Sequence, residues 1–62
     1  MTYADLNDAR TILVNSGVIE YLRGDQHIPI ARAMFRYNMS AEQAVADYLD
    51  LDAADRRALG VN

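Results

Sequence analysis

His27 is the one side chain in this sequence whose ordinary titration falls near neutral pH. It stands without the company that catalysis needs: no serine or carboxylate is spaced around it in a recognisable nucleophile or acid–base order. One histidine and no cysteine leave too few ligands for a structural zinc site. Between Ser40 and Asp55 the charged residues are Glu42, Asp47, Asp50, Asp52 and Asp55, with no base among them. They fail as calcium ligands, because Asp50 and Asp52 lack the glycine turn and the terminal bidentate glutamate. What remains is the chemistry of contact. Arg32 and Arg36 sit one helical turn apart in a stretch without acid, and guanidinium forks match phosphates and carboxylates alike. A solvated face, or pairing within the chain, is the plainer reading of that pair.

The elements that must carry these residues are marked by sharp stops. Thr2, with Asp5 at the third helical position, opens a first helix whose apolar stripe is Leu6, Ala9, Ile12 and Leu13. Asn15-Ser16-Gly17 ends it, Gly17 being suited to a left-handed cap. Val18 to Arg23 permits a strand or a helical turn; helix is preferred because no partner strand is apparent. Pro29 falls in the first turn of a helix that places Ile30, Ala33, Met34 and Tyr37 on one face and Arg32 and Arg36 on another. Asn38-Met39-Ser40 stops that helix and starts the next, where Ser40 and Gln43 form a capping-box pattern. Ala44, Val45, Tyr48 and Leu49 are its expected buried side. Asp50-Leu51-Asp52 repeats the stop, and Asp52 caps a last helix from Ala53 to Leu59 that ends at Gly60. The expected fold is therefore all-α: one domain over residues 1–62, a compact bundle of four or five short helices with a helix-turn-helix-like core.

Sixty-two residues allow one domain, and a chain of this size hides only ~60% of the surface its unfolded form exposes. Support from a partner or a second copy is expected. With 52% apolar residues the composition is globular, and no apolar run approaches the ~20 residues of a membrane span. The start has no signal-peptide pattern, so a cytoplasmic protein is expected. The formal net charge of -3 weighs against a binder that relies on neutralising phosphates, although all six basic residues are arginine. The two halves of the charge are separated along the chain, which predicts an electrically lopsided molecule.

Arg23-Gly24, Ile28-Pro29-Ile30, Met39-Ser40-Ala41-Glu42-Gln43, Asp47-Tyr48, Leu51 and Asp55 follow one another in an order that resembles a bacterial family of short antitoxin-like proteins, catalogued as a domain of unknown function. Its members read roughly R-G-T-R-I-P-V, then G-M-S-x-E-E-I, D-Y-P-x-L-T and E-D-I-R-A-A-L. The resemblance spans Arg23 to Leu59. It implies a homeodomain-like helical core and, for some members, the antitoxin half of a toxin–antitoxin pair. This chain departs at Asp25-Gln26-His27, where the family has Thr-Arg, and at Asn38, Leu49 and Arg56, where it has glycine, proline and isoleucine. Losing that arginine weakens any phosphate contact the resemblance implies.

Together these readings predict a non-catalytic regulatory protein without cofactor, metal or small-molecule substrate. It is expected to bind a protein partner or itself, to stay off membranes, and to touch operator DNA only through arginines. The contact residues expected are Arg32, Arg36, Phe35, Gln43, Arg56 and Arg57. Phe35 falls off the apolar stripe of its helix and so is the best single anchor. Gln43 is placed to read adenine from the second helix of the helix-turn-helix, but Glu42 and Asp47 beside it would repel phosphate. The alternative is a protein-directed inhibitor or adaptor, of the phage or mobile-element accessory type. It would dock an acidic face of Glu42, Asp47 and Asp50 on a basic surface and bind no DNA.

Overall fold

The computed structural model describes residues 2–61. Four α-helices follow one another: α1 (Leu6–Val14), α2 (His27–Tyr37), α3 (Ala41–Tyr48) and α4 (Ala53–Leu59). Two 3₁₀ turns, Gly17–Tyr21 and Gly24–Gln26, bridge α1 to α2, and no strand occurs among the described residues. The ambiguous Val18 to Arg23 stretch is thus mostly the first of these tight turns, with Val18 buried beneath it.

α1 starts three residues later than the sequence pattern implies. Asp5, not Thr2, is the cap: its carboxylate accepts the Asp8 amide at 2.8 Å, and the Asp8 carboxylate accepts the Ala4 amide at 3.0 Å. An aspartate closer to the apolar stripe outcompetes the threonine, because each satisfies the same free amides at the helix start. The other end also differs. Asn15 closes α1 in a right-handed conformation, Ser16 Oγ donates to the Leu13 carbonyl at 2.6 Å, and Gly17 has no positive φ.

The three remaining helices end by one shared device. Asn38 (φ 56), Asp50 (φ 52) and Gly60 (φ 81) are left-handed. In each case the next amide reaches back five residues: Met39 to the Met34 carbonyl, Leu51 to Ala46 and Val61 to Arg56. This is the Schellman closure, in which an apolar residue just past the turn folds back on the helix. Met39 and Leu51 are accordingly half-buried. Ser40 and Asp52 then cap α3 and α4 by accepting the Gln43 amide (3.1 Å) and the Asp55 amide (2.9 Å).

The core lies where α1 packs on α2 and where α3 closes over them. Leu13, Ile30, Met34 and Val45 are its largest fully buried side chains, surrounded by Ala9, Ala31, Ala41 and Ala44. Tyr3 joins it from the N-terminal segment and donates its hydroxyl to the Met39 carbonyl, tying the chain's start to the α2–α3 turn. Burial pushes the Tyr3 phenol above its ordinary pKa, with Glu42 and Asp8 adding to the effect. One residue of an expected buried side is outside: Tyr48 is 51% exposed, and Tyr37, on the apolar stripe of α2, is 65% exposed. Ile12, on the expected stripe of α1, is also exposed.

No residue of α4 is buried. It is held chiefly by Arg56, whose Nε donates to the Leu51 carbonyl (2.8 Å), and whose terminal nitrogens reach the Asp47 carboxylate (2.9 Å) and the Ala46 carbonyl (3.3 Å).

Candidate partner-binding surface

α2 is amphipathic with an unusual outer face. At about 100° per residue, Ile28, Arg32, Phe35 and Arg36 fall together, opposite the buried Ile30, Ala31 and Met34. Ile28 and Phe35 are 44% and 43% exposed, where an ordinary solvated helix face would carry polar groups. Neither Arg32 nor Arg36 has a carboxylate within 4.0 Å; among the described residues the ion pairs are Arg23–Asp25 and Arg56–Asp47. Arg36 instead lies against the ring of Tyr37, 5.6 Å from its centroid, a cation–π arrangement that keeps the guanidinium's hydrogen-bond donors free.

A groove opens where another side of α2 meets α3. Ala33 and Tyr37 of α2, Met39 of the turn, and Ala44, Asp47 and Tyr48 of α3 line an open cavity of about 320 Å³. The exposed tyrosines are its walls, and alanines on both helices give it depth. Sequence reasoning missed this feature by placing Tyr48 on the buried side of its helix. The signal was present in the pairing of Ala33 with Tyr37 and of Ala44 with Tyr48, small before large by one helical turn on each helix.

The expected contact residues are thus divided. Arg32, Phe35 and Arg36 share one exposed face, as the spacing implies. Gln43, Asp47 and Arg56 form a network of their own: Gln43 Nε2 donates to Asp47 Oδ1 at 3.1 Å, on the same oxygen that Arg56 holds. The Gln43 side chain does not return to accept the Ser40 amide as a capping box requires; its Nε2 instead donates to the carboxylate one turn ahead. Hydrogen bonds from Arg56, then from Gln43, hold the Asp47 carboxyl below its ordinary pKa. Arg56 is accordingly a clasp between α3 and α4, not a side chain projecting toward a partner; Arg57 stays on the exposed side of α4.

The acidic face is divided too. Glu42 is half-buried and near enough to Tyr3 to act on its phenol, Asp47 is held by Arg56, and Asp50 is exposed in its left-handed turn. His27 is half-buried at the start of α2. Among the described residues no group of three or more His, Cys, Asp or Glu side chains is placed to hold a metal ion, and no helix is long and apolar enough to cross a membrane. The chemistry this surface offers is apolar insertion flanked by planar cations. Comparison with protein-family models, with curated proteins and with solved structures finds no significant match to the chain.

Proposed function

We propose that this chain is a small regulatory binding protein of antitoxin-like type that acts by docking on a protein partner through the outer face of α2. One observation carries the reading: Ile28 and Phe35 expose large apolar surface beside two arginines that have no carboxylate partner among the described residues. Desolvating apolar anchors, ringed by cations, are what a protein interface concentrates at its centre. The dispersal of Glu42, Asp47 and Asp50 weighs against the alternative in which an acidic face docks on a basic surface.

The helix that would enter a DNA groove, α3, presents Gln43 and Asp47 already bonded to each other. Any contact with operator DNA therefore falls to Arg32, Arg36 and Arg57. Duplex DNA titrated across a salt series tests that element: affinity that falls steeply with salt and disappears in the Arg32→Ala/Arg36→Ala double variant supports it. Flat, undetectable binding at low salt removes it. For the protein partner, the chain is co-expressed with the product of the neighbouring reading frame and purified through a tag on this chain. A stoichiometric complex that Phe35→Ala with Arg36→Glu abolishes supports the reading. Absence of a complex, or one indifferent to those changes, overturns it.

A further inference from the structure

Resting on that reading, we infer that the docking face spans α1 as well as α2. Its occupant is an acidic helix of a protein partner, laid along the α1–α2 seam on the side of Val14, Ile28 and Phe35. Helix direction comes first. Tyr3, just ahead of α1, donates to the Met39 carbonyl, just past α2, so the start of α1 lies beside the end of α2 and the two run antiparallel. Position comes second. Arg10 and Val14 each follow a buried residue of α1, Ala9 and Leu13, and Phe35 follows the buried Met34 of α2. At about 100° per residue, one step past the buried stripe is a fixed flank of it, and on antiparallel helices those flanks share one side of the seam. Ile28, two turns before Phe35, lies on that flank as well. Val14, Ile28 and Phe35 are 42%, 44% and 43% exposed there, in company with the exposed Arg10, Arg32 and Arg36.

The charges that border this face are of one sign. α2 carries no acid, and Asp8, the one acid of α1, precedes Ala9 and so falls on the opposite flank. Asp25, ahead of α2, is paired with Arg23 at 3.5 Å. Among the described residues the ion pairs are Arg23–Asp25 and Arg56–Asp47, so Arg10, Arg32 and Arg36 engage no carboxylate. A trough between two helices accepts the apolar stripe of a third, and Asp or Glu beside that stripe meets the arginines. Duplex phosphates match the arginines but leave the apolar side chains without a partner. A bilayer takes apolar groups ~5–10 Å into its surface, and side chains already more than half covered do not reach that depth.

A second copy offers three acidic–apolar pairings: Asp8 with Ile12, Glu20 with Tyr21 and Asp50 with Tyr48. Asp8 and Ile12 are the helical pair, one turn apart on the other flank of α1. The Asp8 carboxylate, however, is half-buried and already accepts the Ala4 amide at 3.0 Å. Each pairing brings one large side chain and one acid to a face that has three apolar groups and three arginines. Pairing unlike faces also builds rings or filaments, and pairing like faces sets arginine on arginine.

The test selects displayed random peptides of about 16 residues, over four helical turns, on the immobilised full chain. Recovered peptides are then titrated against isotopically labelled protein. Leu, Ile or Phe at i, i+4 and i+7 with flanking Asp or Glu is expected. Saturable amide shifts should centre on Arg10, Val14, Ile28, Arg32 and Phe35. Replacing the peptide acids by glutamine, or introducing Arg10→Glu with Arg32→Glu, should weaken binding at least tenfold. Val14→Asp should do the same. An unchanged urea midpoint separates lost binding from lost fold, and Arg10→Gln with Arg32→Gln repeats the test if charge reversal disturbs folding.

Recovery of basic or uncharged peptides, or of none, overturns the inference. Tighter binding of duplex DNA or of phosphatidylglycerol vesicles at the same amides does so too. A dimer of the chain alone that Arg10→Glu and Ile12→Lys each return to monomer makes the occupant a second copy. Peptides that respond to Phe35→Ala but to neither Arg10→Glu nor Val14→Asp overturn the share of α1 and leave the α2 reading standing.

Discussion

The two helix junctions at Asn38-Met39-Ser40 and Asp50-Leu51-Asp52 are built from one plan and do different work. Each has a left-handed residue, an apolar residue bonded back five positions, and a side-chain cap for the next helix. The first is buried on its far side: α3 puts Ala41, Ala44, Val45 and Ala46 inside, and Tyr3 reaches across to the Met39 carbonyl. The second leads into a helix with no residue fully buried, secured by Arg56 and by Leu59 against the edge of the core. Identical backbone punctuation therefore specifies where helices stop, while the side chains that follow decide whether the next one becomes core or appendage.

The largest expected effect lies on the cored side. Met34→Ala removes a fully buried side chain at the centre of α2 and should cost about 2–5 kcal/mol, a large part of the stability of a domain this small. Urea unfolding followed by circular dichroism measures it; a loss below about 1 kcal/mol would mean the core is not where α1, α2 and α3 meet. Next comes Arg56→Ala, expected to cost about 1–3 kcal/mol, confined to α4. Amide exchange should accelerate from Ala53 to Leu59 while Ile30 to Met34 stay protected. Acceleration spread evenly over the chain would erase the contrast between the junctions.

Acid should act on the same clasp. The Asp47 carboxyl is depressed in the folded chain, so its contribution is present above the ordinary aspartate value of 3.8 and is lost as pH falls through the lower folded value. Its exposure keeps the effect small. Exchange in α4 should rise in that acid range before exchange in α2 does, and Arg56→Ala should abolish the difference. At the other junction, Tyr3→Phe should cost about 1 kcal/mol by leaving the Met39 carbonyl without its donor. Because burial raises the Tyr3 phenol, wild-type stability should hold below its ordinary value of 10.0 and fall as pH rises through the higher folded value. Tyr3→Phe should flatten that alkaline fall.

The smallest effects concern the left-handed positions. Asn38→Gly and Asp50→Gly should each stabilise by a few tenths to about 1 kcal/mol, since glycine adopts positive φ without strain. Gly60→Ala should destabilise by a comparable amount at φ 81, whereas Gly17→Ala, with ordinary φ and open space around it, should be neutral or slightly stabilising. A destabilising Gly17→Ala would restore the left-handed cap that the sequence pattern placed there.

Helix boundaries were largely legible in the sequence because caps are local: Ser40, Asp52, Asn38 and Gly60 act on amides and carbonyls within a few residues. The all-α fold follows from those stops and the apolar spacing. Tyr48 and Ile12 were misplaced because periodicity says which side of a helix an apolar residue takes, and not how much room a neighbouring helix leaves there. The shared exposed face of Arg32, Phe35 and Arg36 could be found from spacing within one helix. The groove could not, since its two walls come from different elements. Arg56 was misassigned for the same reason: its partners Asp47 and Ala46 are a turn and a helix away, and charge alone gave no hint that it would be occupied.

Because α4 touches the rest of the chain mainly through polar contacts outside the interior, its sequence is free to vary without repacking anything beneath it. Beyond its Asp52 and Gly60 caps, an arginine at position 56 and an apolar anchor at Leu59 are the constraints described for it. That makes the last helix an interchangeable cassette, the natural place for lineages or engineers to rewrite specificity while the scaffold stays as it is.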